Sequence, residues 1–361
     1  MAAALRIAAI GCGDIAQRRH FPDLQALAGR AELVAIQGRD PKALEACAAR
    51  FGVPRWHTDA DAILGDPGID AVLVLTPPDS HFDYAEQVIR AGKHLLVEKP
   101  LVRTVAQAAA LLAALQHQQT LRPITCLPLP HVQTAEHSLV RRLLDMDAIG
   151  EVTGVECHRS HRGPTHAGWF YDRGRAGGGV LIDLGIYQLT AVAALFGPAS
   201  SMTASCTRHF ARRTLDDGAV VTPDVEDSAL LALALANGIA VSVGASWNGC
   251  ASHHATRARV VVFGRRGILY FGGADRAVHV YRPDGEYAPL PAGAPAGFDG
   301  YACRRISPVD TGPPASIIGA FVEGIRAGDT STRAMAIQAH VLEIVETAYA
   351  SGGAAMLATR F

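Results

Sequence analysis

The segment Gly11-Cys-Gly-Asp-Ile-Ala16 constrains this chain most, because it directly follows the apolar run Leu5–Ile10 and opens a helical pattern over Ile15–Leu27. In a GxGxxA turn between strand and helix, the first glycine permits a tight turn and the second lets backbone approach a pyrophosphate. The small Ala16 lets helix and strand pack closely, and the helix N-terminus presents free N–H groups to phosphate. Gly11, Gly13, Asp14 and Ile15 are therefore candidate dinucleotide-binding residues. Cys12 lies in the same turn, where the helix dipole favours its thiolate.

Further apolar runs follow at Leu33–Ile36, Ala71–Leu75 and His94–Val97, with helical patterns over Pro41–Phe51 and Phe82–Ala91 between them. Short buried strands alternating with helices predict βαβ units and a parallel sheet. Thr104 and Gln107 have the spacing of a capping box opening a helix over Val105–Leu115. After residue 125 the pattern changes. Helices are predicted near Ala135–Met146, over Val180–Phe196, and over Ala315–Ala327 and Ala334–Ala350. Ser228–Leu235 and Ile239–Ser246 flank Asn237-Gly238, a strong hairpin signal, and Val260–Phe263 with Ile268–Phe271 reads as a second hairpin. Pro289–Gly300 reads as a loop.

The expected fold class is thus α/β plus α+β: a Rossmann dinucleotide-binding domain over residues 1–125 and a mostly antiparallel open-sheet domain over 126–361. Apolar residues in the first hairpin are not confined to alternate positions, which predicts two buried faces and a homodimer or homotetramer through this sheet.

Composition narrows the partners. The chain has 361 residues, 49% hydrophobic and 19% charged, with a formal net charge of −1 and no basic block. That argues against nucleic acid or an anionic membrane as partner. No secretory signal pattern is evident, and no stretch is expected to approach the roughly 20 apolar residues of a membrane span. The seven cysteines are scattered without a CxxC, which suits a reducing, cytoplasmic setting rather than a disulfide or zinc framework. His253-His254 and the histidines near residue 160 lack metal-ligand spacing, so no metal is expected.

The second strand ends at Gly38-Arg39-Asp40-Pro41-Lys42. A carboxylate there would hold the ribose diol of NAD, whereas Gly38 followed by Arg39, with Lys42 nearby, suits a 2′-phosphate. NADP(H) is therefore the preferred cofactor, with NAD(H) possible. Asp40 is a rival reader of the ribose but is more simply an N-cap before an N1 proline. Thr76, Pro77 and His81 follow the third run, and Glu98 and Lys99 follow the fourth, at strand ends where open α/β sheets place ligands.

Taken together, GxGxxA, Thr76-Pro-Pro-Asp-Ser-His81, Glu98-Lys-Pro100 and Gly177-Gly-Gly-Val-Leu-Ile-Asp183-Leu-Gly-Ile-Tyr187 resemble the glucose–fructose oxidoreductase / inositol dehydrogenase / MocA family. Val341–Ser351 is similar to its C-terminal helix. The resemblance implies an active site between the two domains, with Lys99 beside the nicotinamide and the substrate oxygen, and a cis Lys99-Pro100 bond. Many members carry histidine where this chain has Tyr187, and tyrosine there resembles the branch with keto-sugar reductases. The chemistry permits it: a phenol can protonate the alkoxide left by hydride transfer when a cation such as Lys99 stabilises the tyrosinate.

Asp183, four residues before Tyr187, can orient substrate. His161, Arg162 and Trp169 lie on a loop whose aromatic faces and donors suit a hydroxylated ring. The substrate-binding set is therefore Lys99, His161, Arg162, Trp169, Asp183 and Tyr187. Cys126–His131 replaces an arginine-bearing stretch found in many members, leaving that contact open. The expected activity is hydride transfer between NADP(H) and a sugar, keto-sugar or polyol. The alternatives on the same fold are an NAD-dependent glycosidase with transient redox and a non-catalytic dinucleotide-sensing regulator.

Overall fold

The computed structural model describes residues 3–118, 121, 123–125, 135–248, 259–272, 277–283, 302–306, 316–351 and 354–356. The expected loop Pro289–Gly300, the segment Cys126–His131 and His253-His254 lie outside these residues. The chain divides into two compact units, Met1–Leu127 with Ala315–Leu342, and Pro128–Pro314 with Glu343–Phe361. This differs from a single break after residue 125, since Ala315–Leu342 cluster with the N-terminal unit. The helix Ile317–Arg326 packs against Phe21–Gln25. Arg326 donates to the carbonyls of Ala3 and Arg30 at 2.9 and 2.8 Å, and Glu323 pairs with Arg30.

In the first unit β1 (Leu5–Ile10), β2 (Ala31–Gln37), β3 (Trp56–His57), β4 (Ala71–Val74), β5 (His94–Val97) and β6 (Pro123–Thr125) form a sheet in the order β3-β2-β1-β4-β5-β6. Every pair is parallel. The order reverses beside β1, so the crevice at its carboxyl end is where this sheet type binds nucleotides. All four residues of β4 are buried, as a central parallel strand requires.

The helix expected over Ile15–Leu27 has a wide turn, Ala16–His20, followed by an α-helix over Phe21–Gln25. Pro22 has no N–H to extend the ladder, and the preceding Phe21 N–H reaches back to Ala16. Asp40 caps Pro41–Phe51 by accepting from the Lys42 and Ala43 N–H groups at 2.9 and 3.4 Å. Thr104 accepts from Gln107 N–H at 3.2 Å to open Val105–Gln116.

The second unit contains β7 (Val152–Ser160), β8 (Ala199–Thr207), a small ribbon of β9 (Arg213–Thr214) and β10 (Val220–Val221), then β11 (Ser228–Leu235) and β12 (Ala240–Ser246). It continues with β13 (Arg259–Gly264), β14 (Gly267–Phe271), β15 (Val278–Arg282), β16 (Ala302–Ile306) and β17 (Ala354–Met356). Nine of these form one sheet, β16-β15-β14-β13-β7-β12-β11-β8-β17, antiparallel except for β7 with β12. One face packs under the helical stretch Leu181–Phe196.

Along β11 burial alternates, with Ala229, Leu231, Leu233 and Leu235 inside and Leu230, Ala232 and Ala234 exposed. Within one chain, then, the second face of this strand is open rather than buried. Arg173–Phe196 is long and apolar enough by composition to cross a membrane, contrary to the expectation of no such stretch. However, 83% of its most apolar window is buried, as in a core helix.

Candidate active site

The glycine turn is built from backbone. Gly11 has φ +94°, and a Cβ there would lie 2.8–2.9 Å from Leu75 and Thr76 backbone atoms. The turn therefore lies directly on the end of β4, and its N–H donates to the Gln37 carbonyl at 2.8 Å. A Cβ on Gly13 would meet nothing within 4 Å, so this face of the turn is open to a ligand. Asp14 pairs with Arg18 at 2.7 Å on the exposed side, and Ile15 is half-buried. Arg39 and Lys42 are exposed beyond Gly38. These features fit a dinucleotide: an open cradle of amides at a helix start, with Arg39 just after β2 and Lys42 in the first turn of the helix Pro41–Phe51.

The Cys12 thiol is not ionised by the helix terminus. Burial pushes it above the usual thiol range against an opposing hydrogen bond with Cys47.

The loops after β4 and β5 brace each other. His81 is fully buried, with Nδ1 2.7 Å from the Pro100 carbonyl and Nε2 2.7 Å from the Thr76 carbonyl. Its ring thus ties the two loops together, and burial lowers its pKa. Thr76 Oγ1 accepts from Ser80 at 2.8 Å, and Pro77 is half-buried. The Lys99-Pro100 bond is cis.

Glu98 folds back so that Oε2 accepts from the Lys99 N–H at 2.6 Å while Oε1 meets His20 Nε2 at 3.0 Å. Burial alone would raise this carboxyl. The bond and field of His20, the Lys99 charge and the Lys99 N–H bring it below the ordinary range. Sequence reading missed His20, a buried residue at the end of the wide turn that links the glycine-turn helix to the Glu98-Lys99 loop.

In the second unit, Asp183 lies in a wide helical turn, Leu181–Gly185, and Tyr187 follows in Ile186–Phe196. Asp183 Oδ2 accepts from Trp247 Nε1 at 3.3 Å and faces His161 Nε2 at 3.8 Å. His161 Nδ1 accepts from the Gly163 N–H at 2.8 Å, so the proton of a neutral ring sits on Nε2, towards Asp183. Trp247 is 1% exposed and meets Tyr171 edge-on at 5.5 Å, while the Tyr171 hydroxyl donates to the Pro164 carbonyl at 2.6 Å. This scaffold fixes the loop that carries His161.

Arg159 on β7 lies over the Tyr187 ring, 4.2 Å from its centroid. A narrow cavity beside Tyr187 is lined by Glu136, His137, Arg159, Gln188 and Phe271. Burial pushes His137 down to about 3, which keeps it neutral. Elsewhere on the loop, Arg162 turns to Thr165 at 3.4 Å and Trp169 stacks on Phe170 at 3.8 Å.

The structure therefore brings together His161, Asp183 and Trp247, with Tyr187 further along the same helix. Trp247 and Arg159 had no signal of their own in the sequence. Among the described residues, no group of three His, Cys, Asp or Glu side chains is placed to hold a metal ion.

Comparison with known proteins identifies the family and the fold. Residues 5–122 match the oxidoreductase family with an NAD-binding Rossmann fold, and residues 137–270 match the Gfo/Idh/MocA C-terminal domain. The chain belongs to the Gfo/Idh/MocA family.

Among curated relatives, it is 33% identical over 215 residues to a dTDP-3,4-didehydro-2,6-dideoxy-alpha-D-glucose 3-reductase of Streptomyces violaceoruber, covering 60% of this chain and 61% of that protein. It is 27% identical to a 1,5-anhydro-D-fructose reductase of Ensifer adhaerens, covering 58% and 62%. These matches span about three fifths of the relatives' length. The fold is similar to that of levoglucosan dehydrogenase solved with NADH and L-sorbose, at TM-score 0.84, 23% identity and coverage of 98% and 99%. It is also similar to a 3-ketoreductase from Actinomadura kijaniata solved with NADP and TDP-benzene, at TM-score 0.75, 22% identity and coverage of 96% and 97%.

Proposed function

We propose that this family member is an NADP(H)-dependent oxidoreductase that moves a hydride between the nicotinamide and a carbon of a sugar, keto-sugar or polyol. The observation that carries the reading is the Asp183 carboxylate, pinned by Trp247 Nε1 and facing His161, with Tyr187 one turn further along the helix. Several similar curated proteins are named as reductases of sugar derivatives, which supports the substrate class.

In this reading the amides of the Gly11–Ile15 turn hold the pyrophosphate, and Arg39 and Lys42 hold the 2′-phosphate. Thr76, Pro77 and the Glu98-Lys99 loop border the nicotinamide end. When bound, the cofactor supplies or accepts the hydride. Tyr187 gives its phenolic proton to the oxygen that becomes negative during reduction, and takes it back during oxidation. Lys99 clamps the same oxygen and stabilises the charge left on Tyr187. Asp183 accepts from a substrate hydroxyl, with His161, Arg162 and Trp169 along the bound ring.

Following NADPH and NADH absorbance against 1,5-anhydro-D-fructose, other keto-sugars and polyols tests this. Turnover faster with NADPH is expected. Tightly bound nucleotide with no net oxidation of added NADPH across the panel would overturn it.

The reading also includes a cytoplasmic setting, supported by the free thiols of Cys12, Cys47, Cys157 and Cys206. It includes a homodimer or homotetramer through the outer sheet face as well, where Leu230 is 61% exposed beside Ala232 and Ala234. A monomeric mass by light scattering at micromolar concentration would remove the assembly.

A further inference from the structure

The helix that carries Asp183 and Tyr187 begins at a run of three glycines, and its first amides need acceptors. One distant residue supplies them. Glu226, 5% exposed, accepts from the Gly179 N–H through both carboxylate oxygens at 3.1 Å and from the Leu181 N–H at 3.0 Å. Its backbone carbonyl accepts from the Val180 N–H at 3.1 Å. The Tyr349 hydroxyl donates to the same carboxylate at 2.8 Å, and the Arg173 guanidinium lies 3.8 Å away, also over the Tyr349 ring.

This packing explains the glycines. A Cβ on Gly178 would collide with the Tyr349 hydroxyl, and one on Gly179 with the Glu226 carbonyl.

The next residue continues the brace. The Asp227 carbonyl accepts from the Trp247 N–H at 2.7 Å, and Trp247 Nε1 donates to Asp183. The Asp227 carboxylate is held by the His209 and Phe210 N–H groups at 3.0 and 2.8 Å. The dipeptide Glu226-Asp227 thus fixes Asp183 twice, through the start of its helix and through the indole that grips its side chain.

We propose that Glu226, seated against Tyr349, is a positioning residue for the reaction: it sets where Asp183 and Tyr187 stand without touching the substrate. The proposal rests on the reading of those two residues as the reactive pair. A carboxylate suits the task because two oxygens must meet several donors, and a misplacement of about 1 Å in a reactive group costs up to ~10²-fold in rate. Burial pushes the Glu226 carboxyl above its ordinary range, with the amides and the phenol opposing the shift.

The test uses Glu226→Ala, Glu226→Gln and Tyr349→Phe in the full chain, with two readouts. The first is kcat with 1,5-anhydro-D-fructose, or the fastest keto-sugar of the same panel, beside the Kd for NADPH. The second is the indole N–H resonance of Trp247 among the three tryptophans, assigned with Trp247→Phe. Glu226→Ala is expected to lower kcat by ~10–100-fold with NADPH affinity unchanged, and to shift the Trp247 resonance. Glu226→Gln keeps one acceptor and should restore most of both.

If Glu226→Ala does not fold, Tyr349→Phe carries the same readouts with smaller changes. A folded Glu226→Ala with unaltered kcat and an unshifted indole overturns the proposal. Unaltered turnover in Tyr187→Phe would instead remove the acid–base reading, while the indole signal still reports on the brace.

Discussion

The two units present their candidate functional groups in opposite ways. In the first, the cradle after β1 is made of main-chain amides, with Gly11 packed against the backbone of Leu75 and Thr76 and Gly13 facing open space. In the second, the cluster is made of side chains from distant segments: His161 after β7, Asp183 and Tyr187 on one helix, and Trp247 after β12. A backbone cradle binds what all dinucleotides share, so it says little about substrate. A side-chain cluster is specific, and its parts become neighbours only through the tertiary fold.

The largest effects should come from the groups assigned to the chemistry. Lys99→Ala and Tyr187→Phe are each expected to lower kcat by ~10²–10⁴-fold, the usual scale for lost acid–base help. NADPH affinity should be nearly unchanged in Tyr187→Phe, because that residue is outside the nucleotide unit. Steady-state kinetics with a parallel NADPH titration measures both. Near wild-type turnover in Tyr187→Phe would break the contrast, leaving the second unit to supply only orientation.

Within the cradle, two glycines should respond differently. Gly11→Ala forces a Cβ against the backbone of Leu75 and Thr76 at positive φ. It should cost about 2–3 kcal/mol, or roughly 5–10 °C in Tm. Gly13→Ala meets no atom of the protein, so Tm should hold while NADPH binding weakens. Thermal melts with and without NADPH separate the two, and equal Tm losses would mean that Gly13 also serves the fold.

This contrast also explains what could be read in advance. Gly11-Cys-Gly-Asp-Ile-Ala16 and the buried runs of β1, β2, β4 and β5 are local signals, and they made the parallel sheet and the glycine turn after β1 legible. The Asp183/Tyr187 helix was legible because its residues lie close together on one apolar segment. Trp247, Arg159, His20 and Glu226 were not, since each acts on a partner that sequence spacing cannot reveal: Trp247 is 64 positions from Asp183 and His20 is 78 from Glu98. The clustering of Ala315–Leu342 with the first unit was not legible for the same reason, since only tertiary packing reveals it.

Cofactor choice sharpens the comparison further, with a smaller expected effect. The wild-type chain should bind NADP(H) more tightly than NAD(H) by ~1–3 kcal/mol, the scale of charge-assisted bonds from Arg39 and Lys42. Gly38→Asp should reverse the order by adding an acceptor for the ribose diol and repelling a 2′-phosphate. Its Cβ would lie 3.2 Å from Leu44 Cδ2 and 3.4 Å from Cys12 Sγ, so those side chains must yield slightly and some stability is lost. Asp40 is committed to its helix cap, which leaves Gly38 as the place to install the acceptor. Tighter NAD binding by the wild type, measured by titration, would reassign the ribose contact.

The smallest effect concerns the joint between the glycine-turn helix and the loop of Lys99. The folded Glu98 carboxyl titrates below its unfolded value, so its pairing with His20 and the Lys99 N–H stabilises the fold above about pH 4.3, the ordinary glutamate value. That contribution is lost as pH falls through the folded pKa, because the protonated group no longer accepts in the same way. His20→Phe removes this partner and leaves the carboxylate buried, which should raise the Glu98 pKa and move the loss to higher pH. Wild type should therefore keep its Tm further into acid than His20→Phe, with the gap widest above pH 5 and closing as both carboxyls protonate. Because His20 sits on the glycine-turn helix and Glu98 directly precedes Lys99, NADPH affinity should weaken over the same interval. A gap that stays constant from pH 4 to pH 7 would mean that His20 contributes only packing, and that the cradle stands without this polar support.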